Sequence, residues 1–208
     1  EKEWHEMDEQ TAFFNGHYDD FGQAFDGDFG KQTRIDLTSQ VIPIMLDSAS
    51  DKQIPKMFSA VNKLLKEPGE AAFRLCTDFG EFDTRYGRVS GFVYGYKEHG
   101  SRWMQQNIML GYGLYHRGFV KEAHEVLIDI QSIMDDSGRT KSFPGVSSFM
   151  DNEGRGAYNY LTGSSSWLMM LIATQLFGVR GEQGHLRINP KLLKTQFGKS
   201  GEAKLNMW

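Results

Sequence analysis

The sequence predicts a mainly α chain, an α/α toroid whose helical hairpins send long loops toward a pocket, followed by the start of a β unit. Three observations carry this. Between Thr38 and Gly178, apolar residues recur at helical spacing in five segments that read as antiparallel pairs. Long stretches without period, 70–100 and 137–160, separate those segments, and loops of this length are usually functional. Beyond Gly178 the period changes to two, as in strands.

Each element has its own justification. Residues 1–37 show no sustained period, and YDDFG (18–22) and FDGDFG (25–30) read as turns, which accounts for most of Asp19, Asp20, Asp26 and Asp28. Thr38 or Ser39 caps a helix over about 40–49, with Pro43 in the first turn, where its missing N–H costs little. Ser50 caps the next, about 51–66, with Ile54, Met57, Phe58, Val61, Leu64 and Leu65 on one stripe and Pro68-Gly69 as its stop. The 70–100 crossing is glycine-rich and admits short β pieces such as VSGFVYGY. RWMQQNIMLGYGLYHR makes a helix of about 101–117, Gly118 turns the chain, and VKEAHEVLIDIQSIMDD continues to about 136. After a second loop, YLTGSSSW opens a helix that ends at Gly178, and HLRINPKL and GEAKLNMW follow as strands. The same hairpins also suit a tetratricopeptide-like scaffold, and GLYHRGFVKEAHEVL resembles one half-repeat. No second copy recurs about 34 residues away.

Composition narrows the function. A formal charge of -4 with no Lys/Arg cluster argues against nucleic acid or an anionic membrane as partner. The longest apolar run, WLMMLIA, is far short of a membrane span. The single cysteine, Cys76, excludes an internal disulfide framework and suits a reducing compartment; with no signal peptide in view, the expectation is cytoplasmic. The six histidines are scattered, nothing has metal-ligand spacing, and no cofactor is expected. Aromatic residues at 13% with 23 glycines fit a sugar-handling protein and equally an aromatic-rich core. The chain starts at Glu1 without Met and stops at KLNMW in mid-pattern, so it reads as a piece of something longer.

Three places carry candidate chemistry. At YLTGSSSW, a helix start offers unpaired N–H groups and a partial positive charge. Gly163 lets an anion approach the backbone there, and the Thr162 hydroxyl adds a donor. The alternative is an ordinary cap by Thr162 or Ser164, with the other serines packed against a neighbour. Arg155, between Gly154 and Gly156, can swing over an anion and bind it bidentately, or simply be solvated. In YGYKEHGSRWMQQN, Lys97, Glu98, His99, Arg102, Gln105 and Gln106 crowd one loop-to-helix junction among aromatic rings, as a sugar hydroxyl array needs. A solvated helix start explains the same residues.

These residues also carry a family resemblance. YLTGSSSWLMMLIATQLFGVRGEQGHLRINPKLL resembles the last barrel helix and exit of the cellobiose phosphorylase-like enzymes, glycoside hydrolase family ninety-four and related β-glucan phosphorylases. YGYKEHGSRWMQQ is similar to their K-E-N-G segment, FPGVSSFMDNEGRG to a loop between helices, and NGHYDDFG…IDLTSQVIPIM to the entry into the second half of the barrel. The resemblance implies the second half of an (α/α)6 barrel over 1–180 and the start of a C-terminal β domain over 181–208. It implies a carbohydrate partner, a β-glucoside or β-glucan oligosaccharide, with inorganic phosphate as co-substrate. Phosphate attacks the anomeric carbon with inversion, giving an α-sugar 1-phosphate. Phosphate is already an anion, so no second carboxylate is needed as base. Thr162 and Gly163 then hold phosphate with Arg155 and Gln105, while Glu98, Lys97 and His99 line the sugar site.

Two departures matter. The family's asparagine is His99 here, and a histidine that commonly contacts phosphate falls on Gln105, which offers only a neutral hydrogen bond. The family's general-acid Asp belongs upstream of Glu1, so the missing N-terminal portion of the same protein is an expected partner. Family members are often dimers, which makes a homodimer a further expectation. The alternatives are an inverting hydrolase on the same barrel, with Glu98 as base, and a non-catalytic helical carbohydrate-binding or scaffold domain.

Overall fold

The computed structural model describes residues 3–142, 145–160 and 162–206. Helices dominate these residues: α1 (Thr38–Met45), α2 (Gln53–Leu65), α3 (Met104–His116), α4 (Val120–Asp135), a single turn α5 (Ser137–Thr140) and α6 (Gly163–Met170). The last runs on as a π-helix over Leu171–Leu176. None of them is long and apolar enough to cross a membrane.

α3 is the centre of the fold, with α1, α4 and α6 all packed against it. Its sequence explains why. MQQNIMLGYGLYH has no continuous polar face, so the helix needs neighbours on several sides. Gly111 and Gly113 let them come close: a Cβ on Gly111 would lie 3.1 Å from Leu171 Cδ1, and one on Gly113 3.0 Å from Met45 Cγ. Ile108, Leu110 and Leu114 are wholly buried, and each such side chain contributes about 1.5–3 kcal/mol of transfer free energy. Gly118, at φ +83°, makes the expected turn into α4. On α2, Ile54, Met57, Val61 and Leu65 of the expected stripe are buried, while Phe58 and Leu64 are half-buried against the same core.

The boundaries need correcting. Residues 1–37 hold two small antiparallel hairpins, β1 (Trp4–Glu6) with β2 (Ala12–Phe14), and β3 (Gly27–Asp28) with β4 (Thr33–Arg34). Helix α1 begins at Thr38, and neither Thr38 nor Ser39 caps it. Asp36 does, its Oδ1 accepting the Ser39 N–H at 3.1 Å. Pro43 is therefore the sixth residue, beyond the first turn, and the helix stops at Met45. Helix α2 begins at Gln53, whose Oε1 accepts both the N–H and the hydroxyl of Ser50, a half capping box. Residues Arg102–Trp103 leave the predicted helix as strand β5, which pairs with β6 (Phe149–Met150), itself paired with β7 (Gly156–Ala157). VSGFVYGY contributes no strand; a 3-10 segment, Thr84–Gly91, covers its start.

At the C-terminal end, Gly178 (φ +66°) closes the helix, and β8 (Val179–Glu182) pairs with β9 (His185–Ile188). The predicted strand at 201–208 is absent over 201–206, and its last two residues lie outside the described ones.

Candidate active site

The cleft is built on residues 74–77. On one side the Leu37 N–H donates to Leu75 O (2.7 Å) and the Thr77 N–H to Ile35 O (3.1 Å); on the other, the Leu75 N–H donates to Ser101 O (2.8 Å). This sheet-like pairing sets Asp36 against Cys76 and draws the entries to α1 and α3 together. Between them opens a cleft of about 650 Å³, within the usual range for small-molecule sites.

Its apolar wall is aromatic. Tyr86 stacks on Phe79, centroids 5.3 Å apart, and meets Phe25 edge-on at 4.7 Å. The 3-10 segment presents Tyr86, capped by Asp83 through the Arg85 N–H, and Arg34 Nη1 donates to the Tyr86 hydroxyl at 2.5 Å. Trp103, stacked on Phe149, completes the wall. Flat rings of this kind are platforms for the apolar faces of sugars.

Several expected site residues meet here. Glu98, Gln105 and Gln106 all line the cleft. Arg88 donates to Glu98 Oε1 at 2.7 Å, while Oε2 is covered and, among the described residues, without a partner, as is Gln106 Oε1. Gly163 stands directly against Gln105: a Cβ added to Gly163 would lie 2.5 Å from Gln105 Oε1. Thr162 is the N-cap of α6, its Oγ1 accepting the Ser164 N–H at 3.3 Å. It caps the helix, and Ser164 is buried with its hydroxyl unpartnered. Helix geometry leaves the Gly163 and Ser165 N–H groups without an intrahelical acceptor, so capping by Thr162 does not use up the donors of this helix start.

Other expected residues sit elsewhere. His99 is 2% exposed, with Nδ1 2.8 Å from Phe92 O and Nε2 accepting the Phe79 N–H at 3.0 Å. Asp78 Oδ1 lies 3.1 Å from the same Nε2. A backbone N–H pointing at Nε2 requires a lone pair there, so the neutral Nδ1–H form fits this geometry. Both nitrogens are spent on the loop, and His99 is a fastener of the cleft wall in place of the expected sugar contact. The Lys97 ammonium lies over the Phe92 and Tyr96 rings at 5.1 and 5.9 Å, outside the cleft lining. Arg155 is exposed in the turn between β6 and β7, its N–H donated to Asp151 Oδ1. The glycines beside it serve packing: Arg139 covers Gly154, and Ser147 and Ser142 lie against Gly156.

Sequence reasoning missed the acidic floor. Asp36 lines the cleft, almost wholly buried, and burial pushes its carboxyl above the usual range, His17 acting against that and Asp26 adding to it. Asp26, beyond any turn role, accepts the N–H groups of Gly16 (2.8 Å) and His17 (3.2 Å), and its Oδ2 lies 3.4 Å from His17 Nδ1. Tyr94 beneath the wall is pushed up to about 12 by burial, so it stays protonated. Among the described residues, no group of three or more His, Cys, Asp or Glu side chains is placed to hold a metal ion. The one signal that could have revealed the floor was the D-x-x-[ST] cap pattern in Asp36-Leu37-Thr38-Ser39.

No curated protein matches the chain. A family model, glycosyl hydrolase 94 superfamily, catalytic domain, matches residues 3–178, from the residue before β1 to the glycine that closes the π-helix after α6. With that match over most of its length, the chain belongs to the glycosyl hydrolase 94 superfamily, as part of its catalytic domain.

Proposed function

We propose that this chain is the C-terminal half of an (α/α)6 barrel in an inverting glycoside phosphorylase, cleaving β-glucosides with inorganic phosphate to an α-sugar 1-phosphate. The observation that carries the reading is the contact between the start of α6 and Gln105. It joins a helix N-terminus, where an anion is favoured, to the rim of a cleft with aromatic platforms and unpartnered acceptors. In the reaction, a phosphate oxygen forms the new bond to the anomeric carbon as the glycosidic C–O bond breaks. The leaving oxygen takes its proton from the general acid, which the family resemblance puts upstream of Glu1. Thr162, Gly163 and Gln105 hold the phosphate; Glu98 and Gln106 accept sugar hydroxyls. The barrel portion ends near residue 180 and a β domain follows, in keeping with the family match ending at 178. The N-terminal portion of the same protein closes the barrel, and a homodimer is a further partner to test for.

The test uses the protein that contains this chain. Phosphate should accelerate cleavage of short β-glucans, and Gly163→Ala should remove most of that acceleration. A second reading, an inverting hydrolase, draws on Glu98 Oε2, a carboxylate oxygen with no partner at the cleft wall. Cleavage that proceeds at full rate without phosphate and is lost in Glu98→Gln would select it.

A further inference from the structure

The cleft beside the proposed anion seat is poor in free cations among the described residues. Of the basic side chains lining the cleft, Arg85 is already engaged through Nε and Nη2 with Asp83, at 2.9 and 2.5 Å. Arg88, at the cleft edge, is spent on Glu98, and Gln105 is neutral. A helix N-terminus supplies roughly half a positive charge. A doubly charged anion beside Asp36 and Glu98 needs more.

His17 is built to provide it. Its Nδ1 faces Asp26, whose side chain is completely buried and fixed by two backbone N–H groups, while the histidine side chain itself is 47% exposed. With Nδ1 turned to Asp26, Nε2 is the ring nitrogen left for a ligand, and His17 lines both the cleft and the hollow beside it. A neutral imidazole that donates Nδ1–H to Asp26 shows the cleft a lone pair at Nε2; a protonated one shows an N–H. Protonation therefore converts Nε2 from an acceptor, which repels an oxyanion, into a charge-assisted donor. We propose that His17, oriented by Asp26, is the anion-binding cation of the cleft, so that phosphate is held by the imidazolium form. This rests on the phosphate reading above.

The surrounding charges set the sense of the pH effect. Asp26 and Asp36 face the imidazole from its own side, Arg85, Glu98 and Cys76 line the same cleft, and Glu3 borders the adjoining hollow that His17 shares. The hydrogen bond to Asp26 raises the His17 pKa, burial opposes it, and Asp36 and Asp26 add to the rise. Anion affinity is then full below the ordinary histidine range and lost as pH rises through the raised value.

The experiment is a calorimetric titration with sulfate, which keeps its charge across the range, and with inorganic phosphate. The wild-type protein, His17→Gln and Asp26→Asn are compared from about pH 5 to 8. Wild-type sulfate affinity should fall by about ten-fold or more across the range. His17→Gln should bind weakly with a flat profile, and Asp26→Asn should move the midpoint to lower pH, which a merely structural role for the pair would not do. If His17→Gln keeps the wild-type profile, the cation is not His17, and the proposal falls while the helix seat stands. If the wild-type protein binds neither anion at any pH, the phosphate reading fails and takes the proposal with it.

Discussion

Two polar clusters flank Trp103, and they differ in how completely they are satisfied. On one side, the guanidinium groups of Arg74 and Arg102 are almost wholly buried on Glu67, at 2.8 and 2.6 Å. Arg102 reaches Glu70 at 3.5 Å, and Arg139 meets Glu70 at 2.7 Å. Arg74 Nη1 and Arg102 Nη1 also donate to the carbonyls of Gly100 and Asp151. On the other side, in the cleft, Glu98 Oε2 and Gln106 Oε1 have no partner. Arg74 Nε lacks a hydrogen bond among the described residues, but every charge of this cluster has its counter-charge, which fastens the end of α2 to β5 and to the turn after β6. Unsatisfied acceptors cost stability and persist where a ligand completes them.

The largest effect is expected at the ionic cluster. Glu67→Gln removes the nearer counter-charge of two buried guanidinium groups, but Glu67 is itself 44% exposed and Glu70 stays by Arg102, so the cost is about 2 kcal/mol. For a chain of this size that is a fall in Tm of about 6 °C, read by circular dichroism. The sugar affinity of the folded protein should not move. A drop in affinity without a drop in Tm would show that the two clusters are not separate in kind.

At the cleft the pattern should invert. Gly163→Ala puts a methyl group 2.5 Å from Gln105 Oε1, so Gln105 must swing off the start of α6. Phosphate should bind about ten-fold more weakly, close to 1.4 kcal/mol. Stability should hold or rise slightly, because alanine is the better helix former. Glu98→Gln sharpens the point with a smaller effect. Sugar binding followed by the fluorescence of the cleft Trp103 should weaken by about five-fold, with little change in Tm, since Arg88 is exposed and surface pairs contribute little. Unchanged titrations in both variants would remove the site from this cleft.

What could be read from the sequence divides along the same line. Helices α2 and α4 were legible because each buries a stripe at helical spacing: Ile54, Met57, Val61 and Leu65 announce α2, and Ala123, Val126, Ile130 and Ile133 announce α4, without any knowledge of their neighbours. Gly163 and Gln105 were legible as separate candidates, one from its helix start and the other from its polar junction, but their contact could be read from no local pattern. The hairpins within 1–37 were hidden because strands of two or three residues give period two no room to repeat. His17 and Asp26 meet from positions nine apart in the sequence, and Asp36 is set on the same side by its pairing with Cys76. His99 misled for a related reason: a buried ring that accepts the Phe79 N–H looks, in one dimension, like any exposed histidine beside a glutamate.

The smallest predicted effect concerns the sign of a pH dependence. Burial is the largest influence on Asp36 and raises its carboxyl above the usual range. A carboxyl whose folded value exceeds its unfolded one favours the fold while protonated, so its contribution is full below the unfolded value and is lost as pH rises through the folded one. Asp36→Asn cannot ionise, yet its amide oxygen can still accept the Ser39 N–H and keep the cap of α1. The variant and the wild type should therefore differ least in acid, with the variant gaining relative stability as pH climbs past the carboxylate range, in urea midpoints measured at several pH values. Glu182 on β8 supplies the opposite slope. Its hydrogen bond and charge pairing with Arg187 lower its pKa, so whatever that pair contributes is present at neutral pH and lost in acid, and Glu182→Gln should approach the wild type as pH falls. Parallel curves for Asp36→Asn and wild type would mean that the cleft floor is better solvated than its burial implies, and that the acceptors above it are open to water as well.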